Sequence, residues 1–245
     1  MKSKPQNTSI PATRLASLLL AGSVSGASGA TLVQTQSFSF VPNDSVSLLF
    51  NRFDTQGGTR TLDSVFIEIS YTRTGGYADF DNESPSTATV NLQSRIDLLI
   101  DPENSVLDLT KSGTSSKLAT GSSLRTTATT SASLGADDDP LNPSFDSAGQ
   151  DYYHWVLPSM SENDSGYMAN TLQFEGADAF ELLVDGTQTE SINGVSGAKK
   201  STSPSAVEGY MTITYNFTGI TPVPEPDVPM LVGSLGTLLL LRRRR

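Results

Sequence analysis

The chain has 245 residues, with 16 Lys and Arg against 26 Asp and Glu, one histidine and no cysteine. Between residues 31 and 224 the imbalance is sharper, with 9 basic and 24 acidic side chains. That argues against nucleic acid as a partner, because such binding rests on neutralising phosphates with cations. It argues equally against adhesion to anionic lipid. Without cysteine there is no thiol catalysis, no Fe–S cluster, no thiolate zinc site and no disulfide.

The first 30 residues read as a leader. Lys2, Lys4 and Arg14 are basic, Leu15 to Gly22 is a short apolar core, and mostly small residues follow to Ala30. This is the pattern of a secretory signal peptide. Ser28 and Ala30 satisfy the small-residue rule, so cleavage is expected after Ala30, leaving Thr31 as the mature start; Ala27 is a second candidate. A buried helix is the poorer reading, because no amphipathic continuation follows.

From residue 31 the hydrophobic period is two. Phe38 and Phe40 alternate with Ser37 and Ser39; Val65, Ile67 and Ile69, then Phe180, Leu182 and Val184, then Met211, Ile213, Tyr215 and Phe217 repeat the pattern. Such alternation marks strands with one buried face. Gly57-Gly58, Gly75-Gly76, Asp101-Pro102 and Asn193-Gly194 supply turns between them. Strands are predicted at 32–41, 45–52, 62–72, 87–100, 152–157, 171–175, 179–184 and 206–218. About eight strands without a long amphipathic helix predict an all-β, antiparallel β-sandwich over 31–220. Residues 111–135, rich in Ser, Thr, Gly and Ala, read as a poor edge strand or a loop. Residues 136–151, with Asp137, Asp138, Asp139, Asp146 and Asp151, read as an exposed acidic loop.

The tail has three parts. Residues 221–227 form a Pro-rich linker containing Pro224-Glu225-Pro226, residues 228–241 are apolar, and Arg242, Arg243, Arg244 and Arg245 end the chain. The linker favours an extended spacer. As a transmembrane helix the apolar run would reach about 21 Å, short of the ~20 residues a full span needs. The arginine stems extend that reach and their charges hold the end in the cytoplasm. A single-pass anchor accounts for these features. The order of the parts resembles more specifically the PEP-CTERM tail of bacterial surface proteins. That resemblance implies sorting by an exosortase, cleavage near Pro224-Glu225-Pro226, and a precursor held in the inner membrane.

The body resembles the choice-of-anchor E domain. Phe53-Asp54, Gly57 and Leu62-Asp63-Ser64-Val65 match one passage; Asn82-Glu83 to Ile100, with Ala88-Thr89-Val90, matches a long strand. Phe174 to Phe180 and Met211 to Phe217 match the closing strands. The similarity spans roughly 32–218. Gly58 to Arg60 and the Asp151-Tyr152-Tyr153-His154-Trp155 block depart from the family. It implies an exported domain with no catalytic residue carried over, in bacteria that make exopolysaccharide.

Three constellations could carry chemistry. Tyr152, Tyr153 and Trp155 surround the lone His154 and could form a platform for stacking a sugar ring; a strand burying alternate aromatics, with His154 outward, is the plainer reading. Paired carboxylates could serve a glycosidase, but with 24 acids in the body close pairs are unavoidable. Asp79, Asp81, Asp137 and Asp139 offer hard oxygens for a structural calcium, against a solvated turn as the alternative. No other cofactor is expected. The sequence therefore predicts an exported surface or extracellular-matrix protein with a non-enzymatic, structural or adhesive role. Its partners would be the secretion machinery, exosortase and an exopolysaccharide. The alternative is a carbohydrate-binding module of the envelope or biofilm matrix, and a hydrolase using His154 ranks below both.

Overall fold

A computed structural model describes residues 29–102, 107–119, 124–141, 144–195 and 197–219. The leader up to residue 28, the linker, the apolar tail and the four arginines lie outside them. Among the described residues no helix is long and apolar enough to cross a membrane.

The described residues are all-β, and eleven strands run in order among them: β1 Ala30–Phe40, β2 Asp44–Asn51, β3 Arg60–Thr74, β4 Tyr77–Asn82, β5 Ala88–Pro102, β6 Arg125–Leu134, β7 Tyr152–Val156, β8 Met160–Tyr167, β9 Ala179–Asn193, β10 Ala198–Ser203 and β11 Ala206–Gly219. They form three antiparallel sheets, ordered β1-β11-β3-β8, β10-β4-β7 and β2-β9-β5-β6. The alternation read from the sequence sets which face is buried. In β3, Val65, Ile67, Ile69 and Tyr71 are buried while their neighbours are half-exposed. In β1, Phe38 points inward between the exposed Ser37 and Ser39.

The first two sheets are one layer, bent. Strand order β11-β3-β8 continues across the bend as β10-β4-β7. Gly75 and Gly76, both at positive φ, break β3 from β4, and Leu157 N–H donates to Gly76 O across the break at 3.2 Å. Glycine is required at 76: a Cβ there would lie 2.8 Å from Ser205 N and 2.9 Å from Ser203 O. The longer strands β9 and β5 of the opposite sheet face both parts of the bent layer. Two apolar clusters result. The larger joins β1, β3 and β11 to β2, β5 and β9, with Phe53, Ile67, Phe174, Met211 and Tyr215 at its centre. The smaller joins Ala78 and Phe80 of β4 and Trp155 of β7 to Val90, Leu92, Ala128, Ala132 and Leu134.

Between the clusters lies a buried polar belt of Arg73, Ser94, Thr126, Gln188 and Ser205. Arg73, Ser94, Thr126 and Gln188 each take an inward position of their strand, and Ser205 lies in the connection between β10 and β11. The Arg73 guanidinium donates to Ser94 O and Pro158 O at 3.2 and 3.4 Å, and burial pulls its pKa down. Gln188 Oε1 accepts from Ser205 N at 2.9 Å. The β1/β2 edge is closed by side chains: Gln34 exchanges two bonds with the Asn51 backbone, and Gln36 donates to Leu49 O. Inward amides thus do the work of a ladder at an edge that would otherwise invite pairing.

Four strands exceed the expectation. β4, β8 and β10 lack a clean apolar period, and β6 emerges from the Ser/Thr-rich stretch as the edge strand that reading allowed. The expected strand at 171–175 is instead a short 3-10 turn, Leu172–Phe174. Its Phe174 is buried against Phe180, so core packing accounts for its apolar residues. Strand β9 runs nine residues further than predicted, to Asn193, through polar positions that the belt makes inward-facing.

Candidate functional site: an acidic basin on the small sheet

Strand β4 is the middle strand of the small sheet. Ala78 and Phe80 face the core, so Asp79 and Asp81 fall on the outer face, where Asp81 is only 4% exposed. What covers it is the long connection after β6. Gly135 N–H donates to Gln150 O at 2.6 Å and Asp137 N–H to Ser84 O at 2.8 Å, and the connection returns to β7 beside Asp81. Asp146 N–H donates to Asp81 Oδ2 at 2.9 Å, and Asp138 N–H to Asp151 Oδ2 at 3.1 Å. The stretch read as an exposed acidic loop is thus partly inward: Asp151 is 2% exposed.

Two sets of carboxylates converge. Asp81, Asp146 and Asp151 bring ligand oxygens within 4.8 Å of one another, as do Asp138, Asp139 and Asp146, with Asp146 common to both. Among the described residues none of these five forms an ion pair. Asp151 Oδ1 is buried with no hydrogen-bond partner. Gly149, at φ +105°, stands beside it, and a Cβ there would lie 2.5 Å from that oxygen and closer still to Asp138 Oδ2. Desolvation pushes the Asp81 carboxyl up from its ordinary range, and the charges of Asp151, Glu83 and Asp146 add to the rise. Lys199, opposite Asp81 in the β10–β4 ladder, directs its ammonium to Glu83 at 2.8 Å.

Of the expected oxygen donors, Asp81 and Asp139 belong to the basin and Asp79 and Asp137 do not. Asp137 Oδ1 accepts from Asp139 N in a local turn. Asp79 Oδ1 accepts from the Tyr152 hydroxyl at 2.9 Å and lies 2.6 Å from His154 Nδ1. Desolvation, the bond to Asp79 and its charge push the Tyr152 hydroxyl up to about 12. The remaining members, Asp138, Asp146 and Asp151, were visible in the sequence as acids. What was not visible is the pairing of Asp81 with Tyr152, which brings them to β4.

The aromatic platform is divided by the pleat. Trp155 lies in the smaller core and Tyr153 packs against it, whereas Tyr152 faces outward with His154, whose ring lies 5.3 Å from Tyr77. Tyr152, Tyr153 and Trp155 therefore do not share a surface. The Asn82 side chain is committed to the fold, its amide donating to Ser86 O and Gly135 O. Ala30 opens β1, and Pro224, Glu225, Pro226 and Arg242 to Arg245 lie outside the described residues.

A shallow groove of about 430 Å³ runs over the outer face of β5 and β6. Asn91, Gln93, Thr129, Thr130, Ser131 and Asn193 line it with neutral amides and hydroxyls, beside Leu92.

No family model matches the chain, and no curated protein does. Among solved structures, a chain of turnip yellow mosaic virus is similar at 12% identity and a TM-score of 0.16, covering 91% of this chain and 96% of that one. The infectious bursal disease virus VP2 subviral particle is similar at 12% identity and a TM-score of 0.12, over 86% of this chain and 50% of that one.

Proposed function

We propose that this is an exported bacterial surface or matrix protein, sorted by its PEP-CTERM-like tail and acting structurally or adhesively rather than as an enzyme. One observation supports this reading best. Ala30 pairs with Phe217, so the leader and the tail both attach at one pole of the domain. The bend and the small sheet lie along β3 and β11 away from that pole, so the acidic basin sits at the far end. A domain tethered by its tail would present that end outward. Signal cleavage after Ala30 would leave β1 intact from Thr31 onward.

Intact mass and cell fractionation in the native host test the reading. The expected product starts near Thr31, ends near Pro224-Glu225-Pro226 and leaves the inner membrane. A full-length C-terminus kept in the inner membrane would overturn sorting and leave a plain anchor.

A carbohydrate-binding role is the second reading, favoured by the amide- and hydroxyl-lined groove on β5 and β6. Amides and hydroxyls match the bonding of sugar hydroxyls. A glycan array is expected to show binding that Asn91→Ala with Gln93→Ala removes; no binding to any glycan would dismiss it.

A further inference from the structure

We infer that the basin formed by Asp81, Asp146 and Asp151, with Asp138 and Asp139 beside it, is a calcium site that fastens the 135–151 connection onto the small sheet. The inference belongs to the fold and stands apart from the sorting of the tail.

Carboxylates gather on many acidic proteins without an ion, and mutual repulsion normally turns them outward into water. Here two of them are turned inward. Asp81 and Asp151 are 4% and 2% exposed, with no cationic partner among the described residues. Asp151 is the decisive group. One of its oxygens accepts from Asp138 N–H, while the other is buried and accepts nothing. A buried carboxylate oxygen without a partner is costly, and a bound cation removes that cost. The unpartnered oxygen is aimed at the Asp138 carboxylate across the space over Gly149, and Asp138 belongs to the adjoining triad. The hydrogen bonds within the basin use Asp81 Oδ2, Asp146 Oδ1 and Asp151 Oδ2, which leaves each residue a second oxygen.

The donor set selects the ion. All five groups are carboxylates, which suit Ca²⁺, Mg²⁺ or Mn²⁺ and disfavour soft metals. Ligands about 2.3–2.6 Å from a common calcium lie up to about 5 Å apart, and the ligand oxygens of each triad lie within 4.8 Å of one another. Mg²⁺ demands tighter octahedral geometry and keeps its waters, whereas a basin of carboxylates from β4 and one long connection suits the larger, more tolerant ion. Water completes the coordination.

The test uses the full-length chain in detergent, stripped with EGTA and titrated with Ca²⁺ alone, Mg²⁺ alone, and Tb³⁺ as a luminescent stand-in. Saturating calcium is expected to raise Tm by on the order of 5–10 °C, with a smaller response to Mg²⁺. Tb³⁺ emission excited through the neighbouring Tyr152 should appear and be displaced by calcium. Asp151→Asn and Asp146→Asn should each weaken calcium binding about tenfold or more, and neither change should prevent folding, because each relieves repulsion in the metal-free state. An unchanged wild-type Tm from EGTA to about 5 mM calcium would overturn the inference. So would variants that respond to calcium as the wild type does. A metal-free Asp151→Asn protein that is more stable than a calcium-indifferent wild type would identify the basin as a plain repulsive cluster.

Discussion

At the pole where Ala30 pairs with Phe217, the described core holds 26 buried residues, and aromatic rings close on one another there: Phe53 lies 5.0 Å from Phe217 and 5.9 Å from Tyr215. At the opposite pole the small sheet buries nine, three of them alanine. The same long strands β5 and β9 serve both. The first region holds its shape by apolar area, at roughly 25 cal/mol per Å². The second has less area to bury and relies on polar fastenings, such as the Asn82 side chain bonded to Ser86 O and Gly135 O. A region held in this way responds to ligands and single polar substitutions where an apolar core does not.

The largest effect follows from emptying each core in turn. Phe53→Ala should cost about 3–5 kcal/mol, and it should lower the unfolding midpoint of the whole domain in denaturant, because Tyr215 and Phe217 of β11 close on that ring at the centre of the larger core. Phe80→Ala, in the smaller cluster, should cost about 3 kcal/mol. Amide exchange should then accelerate in β4, β7 and β10 while β1 and β11 keep their protection. Equal acceleration in both regions would show that the two cores unfold as one and that the contrast is only of size.

The belt joining them is the next place to intervene. Arg73 is fully buried, makes two long hydrogen bonds and leaves Nη2 without a partner. Its charge therefore contributes little that an apolar chain of similar length could not, since replacing buried charges by apolar groups is often neutral. Arg73→Met should change stability by under about 1 kcal/mol. Arg73→Ala should cost about 3 kcal/mol through the hole it leaves, and split the calorimetric transition in two. A single sharp transition in Arg73→Ala would show that the long strands alone couple the halves.

These contrasts also mark what the sequence made legible. Strands whose inward positions are apolar, β1, β3 and β11, were placed within two residues. At the distal end β5 and β7 were also placed within two residues, whereas β4 went unread and β9 was stopped at 184, because Asp79 and Asp81 in the one and Gln188 in the other occupy buried positions and break the period of two. The 3-10 turn at Leu172–Phe174 shows the converse, since Phe174 is buried without being in a strand. Asp81 and Asp139 were readable as oxygen donors by type. Their union with Asp146 and Asp151 depends on a β4–β7 ladder formed across some seventy residues, and local spacing holds no record of that.

The bend separates the regions geometrically, and glycine tests it. Gly76→Ala must place a Cβ against the Ser205 and Ser203 backbone at φ +82°, which should cost about 2–3 kcal/mol. Gly57→Ala, at φ +66° with nothing within 4 Å, should cost only about 1 kcal/mol. Thermal melts of the two variants separate crowding at the bend from backbone strain alone. Matching losses would mean that the chain opens at the bend to admit the methyl group.

The smallest expected effect lies in the larger core and depends on pH. Burial pushes the Tyr215 hydroxyl well above its ordinary range, outweighing the nearby Arg52, and burial also raises Tyr71. A group whose folded pKa is raised keeps its proton longer folded than unfolded. Its contribution is therefore fully present below about pH 10 and is lost as pH rises through the folded value. Tyr215→Phe removes that loss, so the variant should gain on the wild type above about pH 10. At neutral pH the cost should be near the low end for a hydrogen bond, about 0.5–1 kcal/mol. The acceptor, Asn51 O, is not orphaned by the change because Gln34 still donates to it at 2.8 Å. Tyr71→Phe should cost more, since the buried Thr126 N–H donates to that hydroxyl at 2.9 Å and would be left without a partner. Parallel stability–pH curves for Tyr215→Phe and wild type would show that the hydroxyl reaches water before the domain unfolds, and that this core is less tightly closed than its burial indicates.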